Sequence, residues 1–237
     1  MSSSTAQELS MEVEERAQPA RVADAQGDQP SAFSRRYVLL ILGLTAIWGA
    51  LMNQFGSSPI YWVMGPYSVA VCAVLLVARG HALRARLRPT GKNVALGVGM
   101  GLLMTVCTYP AFDLARWLFP ELVSNVADLY RQSQDERLGV ALAAVLVILT
   151  AEELLWRGAW WEAWCLRIGP LKAGALCVVS YALTQLFSGS FIVCLLAIVC
   201  GTVWTLMRHY SGSIVPALIA HAIWTPTVIL FIPVTWQ

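Results

Sequence analysis

The sequence predicts an all-α, polytopic bundle of about seven membrane-spanning helices. Three observations support this prediction. Of the 237 residues, 57% are hydrophobic and only 13% are charged. The apolar residues are gathered into long runs, and Lys and Arg are divided unequally between the connections of these runs. Because a soluble domain has about 25% charged residues, this chain has too little charge to cover a surface that faces water.

Seven apolar runs each approach the ~17–25 residues that a helix needs to cross a bilayer. In chain order they cover residues 37–55, 59–78 (with Pro66), 93–112, 138 to beyond 156, 171–187, 191–207 and 213–234.

Two other segments are not apolar runs. Residues 1–34 are polar, contain almost no aromatic or β-branched residues, and are predicted to be a disordered tail. They lack the basic-then-apolar order of a signal peptide. Residues 113–139 mix apolar and charged side chains, which fits an interfacial segment and equally fits a simple extracytoplasmic loop.

The distribution of Lys and Arg predicts the orientation of the bundle. With the tail left out, 11 of these residues fall on the side of the N-terminus and three on the other side. The 11 are Arg35, Arg36, Arg79, Arg84, Arg86, Arg88, Lys92, Arg157, Arg167, Lys172 and Arg208; the three are Arg116, Arg131 and Arg137. Since Lys and Arg are enriched in cytoplasmic loops, we expect a cytoplasmic N-terminus and a C-terminus outside.

The basic cluster over residues 79–92 is interpreted as part of this topology signal, which also favours anionic lipid. We expect no nucleic-acid partner. The six cysteines form no CxxC pair and mostly lie in apolar runs. They are interpreted as small apolar packing residues, and neither a disulfide framework nor a zinc site is predicted.

Ionisable residues inside the fourth run are the strongest functional signal. Glu152, Glu153 and Arg157 lie deep in it, where a charge costs roughly 2.5–3.5 kcal/mol or more and usually faces the interior of the bundle. Glu153 and Arg157 are four residues apart and can pair. Glu152 points about 100° away on the helix and can face a cavity. The alternative is a structural ion pair that locks helices together.

A second signal comes from the seventh run. Of the three histidines, His221 is the one that falls within a predicted span. Thr225 lies one turn later on the same face of that helix. The alternative for His221 is a packing residue. Glu152 and Gln185 each lie roughly 20 Å from the cytoplasmic ends of their helices, and His221 and Thr225 roughly 12–20 Å. These four side chains can therefore meet near the middle of the membrane.

The residues at these positions resemble the motifs of a known family. Glu152–Gly158, with the letters EELLWRG, resembles the EExxxR motif of the CAAX-protease and bacteriocin-processing (CPBP) family. The stretch CGTVWTLMRHYSGSIVPALIAHAIW resembles the family's last two core helices, the second of which carries HxxxN. The resemblance covers about residues 138–234.

The resemblance implies an intramembrane endopeptidase with a four-helix core, placed here in residues 138–237, after N-terminal helices and an interfacial segment over residues 35–137. It implies that Glu152 activates water, that Glu153 and Arg157 form a supporting pair, and that His221 stabilises the oxyanion. It also implies a membrane-associated protein or peptide as substrate, in the bilayer of a bacterial cytoplasmic membrane. Prenylated C-termini, leader peptides and C-terminal sorting tails all remain open.

Two motifs depart from the family pattern. Tyr181 and Gln185 stand where FxxxH is expected, and Thr225 stands where the last motif has Asn. Gln can orient a water molecule but cannot accept its proton at neutral pH. We therefore keep a second hypothesis, a non-catalytic scaffold that binds a membrane partner. A transporter is disfavoured because no inverted repeat is visible.

No cofactor or metal is predicted, since the sequence lacks HExxH and the candidate site offers one carboxylate and one histidine. Trp156, Trp160, Trp161 and Trp164 follow the first motif. They suit either the wall of an apolar substrate site or an interfacial aromatic belt, and the belt is the preferred interpretation.

Overall fold

The computed structural model describes residues 35–54, 60–120, 130, 134 and 136–234. The predicted tail and about half of the predicted interfacial segment lie outside these residues, so both remain predictions. The described residues from 39 to 234 form one compact unit, which contains the candidate site.

Every predicted apolar run is helical, and the described residues contain no strand. The all-α prediction is therefore confirmed. The helices are α1 (Arg35–Met52), α2 (Ile60–Arg86), α3 (Gly91–Leu118), α4 (Leu138–Glu152), π1 (Glu153–Trp160), α5 (Trp161–Ile168), α6 (Pro170–Leu186), α7 (Phe191–Ser211), α8 (Val215–Pro226) and π2 (Thr227–Phe231).

Five of the helical segments are long and apolar enough to cross a membrane: α1, α2, α3, the continuous stretch α4–π1–α5, and α7. The segment Val215–Phe231 is apolar but shorter, and α6 has 17 residues. The chain is thus an integral, multi-pass membrane protein. Its orientation remains the prediction from Lys and Arg.

Three helices run further than the sequence predicted, including α7, which continues past residue 207 to Ser211. The second run was expected to end at residue 78, but α2 continues to Arg86 across a kink at Arg79 (φ −145°, ψ 28°). Arg84 and Arg86 lie in its last turn, where cations interact favourably with the C-terminal end of the helix dipole. The third run was expected to end at residue 112, but α3 continues to Leu118.

Close packing of α3 against α8 depends on two glycines one turn apart. A Cβ at Gly97 would lie 2.8 Å from the Cβ of Ile219, and one at Gly101 would lie 3.0 Å from the Cα of Ala220. Small residues with this four-residue spacing let the backbones of membrane helices approach closely. Because α8 carries His221, this contact fixes the position of a candidate site residue.

The tight turn before α8 is also anchored. Gly212 ends α7 in the left-handed region at φ 66°, a conformation that glycine adopts without a Cβ clash. The hydroxyl of Ser213 and the amide of Ile214 both donate to the carbonyl of Arg86, at 2.9 and 3.0 Å. The C-terminal end of α2 is therefore tied to the start of α8.

The interpretation of the tryptophans as a lipid-facing belt is wrong for three of them. Trp156, Trp160 and Trp161 are buried within the protein. Trp156 packs edge-on against Trp48 at 5.1 Å between ring centroids, and the indole N–H of Trp160 donates to Thr45. These buried rings lie in π1 and at the start of α5 and pack against neighbouring helices. All six cysteines are free, and three of them are buried.

Candidate active site

The first motif lies where the helix changes from α to π winding. Glu152 is the last residue of α4, and Glu153 is the first of π1, whose eight residues are all buried. Short π segments inside α-helices are frequent at functional sites. Partners from other helices take up carbonyl groups of the widened turns: Cys177 Sγ donates to Trp156, and Arg208 Nε donates to Arg157.

Glu153 and Arg157 form the predicted pair, and neither side chain is exposed. Arg157 Nη1 lies 3.2 Å from Glu153 Oε1, and Nη2 donates to the carbonyl of Gly201 at 3.0 Å. The guanidinium also lies over the rings of Tyr181 and Trp204, at 5.0 and 5.3 Å from their centroids. These contacts compensate the burial of the cation and hold π1 against α6 and α7.

His221 lies between the two glutamates. Its Nδ1 is 3.0 Å from Glu153 Oε1, and its Nε2 is 3.7 Å from Glu152 Oε2. Trp204 stacks on the imidazole ring with 3.6 Å between ring centroids. One nitrogen thus has a hydrogen-bond partner, while the other faces Glu152 across a gap too long for a direct hydrogen bond.

The carboxylate of Glu152 accepts from two residues of α6. The hydroxyl of Tyr181 donates to Oε2 at 3.2 Å, and the amide of Gln185 donates to Oε1 at 3.4 Å. The sequence indicated Tyr181 only as the residue that replaces Phe in the FxxxH motif. Its spacing of four residues from Gln185 places both on one face of the helix, and that signal was available.

An apolar cavity of about 180 Å³ meets these polar groups. Glu152, Gln185, His221 and Thr225 all line it, as does Tyr181. The hydroxyl oxygen of Thr225 is buried and has no hydrogen-bond partner among the described residues. The remaining lining side chains are aliphatic, sulfur-containing or aromatic.

The structure therefore brings all six candidate residues together. Glu153 and Arg157 lie behind the cavity, and the other four face it. Within the part of the chain that the structure describes, no group of three His, Cys, Asp or Glu side chains has the arrangement of a metal site. The arrangement offers one carboxylate, one imidazole and three neutral hydrogen-bonding groups at a surface enclosed by apolar side chains.

Comparison with known families gives one match. Residues 134–226 match the family model described as type II CAAX prenyl endopeptidase Rce1-like. This segment, about two-fifths of the chain, is similar to that family. The match covers α4 through α8, including π1, and these helices carry all the candidate residues; the family is one of proteases. No curated protein and no solved structure matched the chain.

Proposed function

We propose that this protein is an intramembrane endopeptidase that hydrolyses a peptide bond of a membrane-associated protein or peptide. The observation that carries the proposal is the position of Glu152: a carboxylate on the cavity wall, opposite His221 Nε2 at 3.7 Å. One water molecule can contact both atoms, since each contact requires only about 2.7–3.2 Å. The similarity of residues 134–226 to a protease family supports the same reaction.

In the proposed reaction, Glu152 takes a proton from water while the water oxygen attacks the carbonyl carbon of the substrate. The carbonyl π electrons move to oxygen, which becomes an oxyanion. Collapse of this intermediate breaks the C–N bond, and Glu152 gives its proton to the departing amine. General acid–base catalysis by one positioned carboxyl group contributes about 10²–10⁴-fold to such rates.

His221 is proposed to stabilise the oxyanion through Nε2–H. Its other nitrogen is paired with Glu153 Oε1 at 3.0 Å, and an ionised carboxylate only accepts hydrogen bonds. A carboxylate in this position orients the imidazole and stabilises its doubly protonated form. Glu153, held by Arg157, is therefore a positioning residue, and Thr225 supplies a second donor from the same helix.

Gln185 is proposed to orient the water and Glu152. Its amide donates to Glu152 Oε1 but cannot accept a proton at neutral pH. Because Gln stands where the family motif has a histidine, this position also favours a second candidate function. That function is a non-catalytic scaffold that binds a membrane partner in the same cavity.

The test compares the wild type with Glu152→Gln in cells that lack the gene, by mapping the termini of membrane proteins. Glu162→Gln is the matched control, because Glu162 is a mostly buried glutamate on α5 that pairs with Arg86 at 3.9 Å and does not line the cavity. Termini made by the wild type and the control, but not by Glu152→Gln, support the endopeptidase. Identical termini at equal protein levels support the scaffold.

A further inference from the structure

Most of the residues that line the cavity lie toward one end of the bundle. Ile60 is the first residue of α2 and Met52 the last of α1, while Val193 lies in the first turn of α7 and Ile229 near the end of π2. Val193 and Ile229 are partly exposed. The cavity therefore runs from Glu152 outward to these helix ends.

The opposite end of the bundle is closed by tightly packed side chains. Leu83 and Ile214 are fully buried, and Arg208 is 4% exposed. A Cβ at Gly158 would lie 2.9 Å from Leu83 and 3.4 Å from Ile214, so π1, the end of α2 and the start of α8 are in close contact here. None of these four residues lines the cavity.

The charges assign a side of the membrane to each end. The closed end carries most of the Lys and Arg residues, including the cluster over residues 79–92, whereas Arg116 and Arg137 at the other end have Asp113 and Glu136 beside them in sequence. Basic loops mark the cytoplasmic side. The cavity therefore faces the outside.

We propose that the cavity receives an apolar, membrane-spanning segment of a substrate protein from the extracytoplasmic half of the bilayer. The bond that is cut then lies at or outside the middle of that segment. This inference rests on the proposed function and selects among its substrates, since a prenylated C-terminus on a cytosolic protein arrives at the closed end.

The character and size of the cavity fit such a segment. Its walls are mostly apolar, and the polar groups Glu152, Tyr181, Gln185, His221 and Thr225 lie together on them. Transfer of an apolar peptide from the bilayer into the cavity therefore costs little free energy until the peptide meets these groups. The cavity volume of about 180 Å³ is below the ~300–1,000 Å³ of sites that enclose a drug-sized ligand. The cavity therefore encloses only the residues around the bond to be cut.

The test is cysteine accessibility to a membrane-impermeant maleimide in the full-length protein, in spheroplasts and in inside-out vesicles. Val193→Cys reports on the cavity. Arg116→Cys and Arg88→Cys are matched controls for the two ends, because both are exposed arginines replaced by the same residue. Cys107, which is exposed, is replaced by Ala in all three variants, and labelling in detergent with denaturant gives the total.

We expect Val193→Cys and Arg116→Cys to be labelled in spheroplasts, at least tenfold more than in inside-out vesicles, and Arg88→Cys to show the reverse. The inference is overturned if Val193→Cys is labelled mainly in inside-out vesicles, as expected for Arg88→Cys, or in neither preparation. It is also overturned if Arg116→Cys is labelled in inside-out vesicles and Arg88→Cys in spheroplasts.

The second readout is the set of membrane-protein termini that form with the wild type but not with Glu152→Gln. Cuts in the outer half of membrane-spanning segments support the inference. Cuts confined to prenylated cytosolic C-termini overturn it while leaving the endopeptidase in place. If no terminus depends on Glu152, the proposed function itself is overturned. The cysteine labelling does not depend on cleavage, so it still shows on which side of the membrane the cavity opens.

Discussion

The Nδ1 atom of His221 lies 3.0 Å from Oε1 of Glu153, which joins α8 to the first residue of π1. The same oxygen accepts from Arg157, so one buried carboxylate positions both a guanidinium and an imidazole. This shared contact places His221 so that its Nε2 faces Glu152.

The first prediction concerns the buried pair of Glu153 and Arg157. Arg157→Met leaves the Glu153 carboxylate buried without its cation, and loss of one partner of a buried pair destabilises a protein by about 3–5 kcal/mol. The double variant Glu153→Leu/Arg157→Met removes both charges of this pair, so we expect much of the stability to return. Cleavage stays low because His221 has lost its orienting carboxylate.

Thermal unfolding in detergent micelles measures the pair, with both single variants and the double variant forming a mutant cycle. Strictly additive losses of Tm would show that the two residues do not act together.

The second concerns Gln185, which stands at the histidine position of the family motif. Gln185→His places a group that can accept a proton within reach of Glu152, so we expect cleavage to rise by at least ~10-fold, given the ~10²–10⁴-fold of general acid–base catalysis. Gln185→Leu keeps the size but removes the amide, and should lower cleavage. The readout is the rate at which a Glu152-dependent terminus forms; a slower His variant at equal protein level contradicts the prediction.

The third concerns the unpaired hydroxyl of Thr225. Thr225→Val keeps the shape and removes the O–H donor, and loss of an oxyanion donor lowers turnover by about 10²–10³-fold. Stability should stay equal or rise, because a buried hydroxyl without a partner is unfavourable. Turnover and Tm are measured on the same preparation, and a fall in Tm with unchanged turnover would assign Thr225 to packing instead.

The fourth concerns the contact of α3 with α8. Gly97→Ala and Gly101→Ala should each lower stability by about 1–3 kcal/mol, because the added methyl group overlaps atoms of α8. Gly99→Ala is the control: nothing lies within 4 Å of its added Cβ, and Ala is favoured over Gly in a helix interior by about 1 kcal/mol. Equal Tm values for all three would mean that the glycines do not set the helix distance.

The sequence by itself determined the class of the protein, because runs of apolar residues and the placement of Lys and Arg follow directly from the cost of burying charge in a bilayer. It also indicated Glu152, Glu153, Arg157 and His221, since ionisable residues in apolar runs stand out. The four-residue spacing of Glu153 and Arg157 was sufficient to predict their contact, which is local to one helix.

Tertiary structure decided everything that depends on how helices meet. The sequence contains no information on the rotation of one helix about another, so it could not place His221 Nδ1 on Glu153, Tyr181 on Glu152, or Gly97 and Gly101 against α8. It also could not show that Trp156 is buried, nor that the cavity lies toward the end away from the basic loops. Those features arise from contacts between residues far apart in the chain, which only the packed bundle brings together.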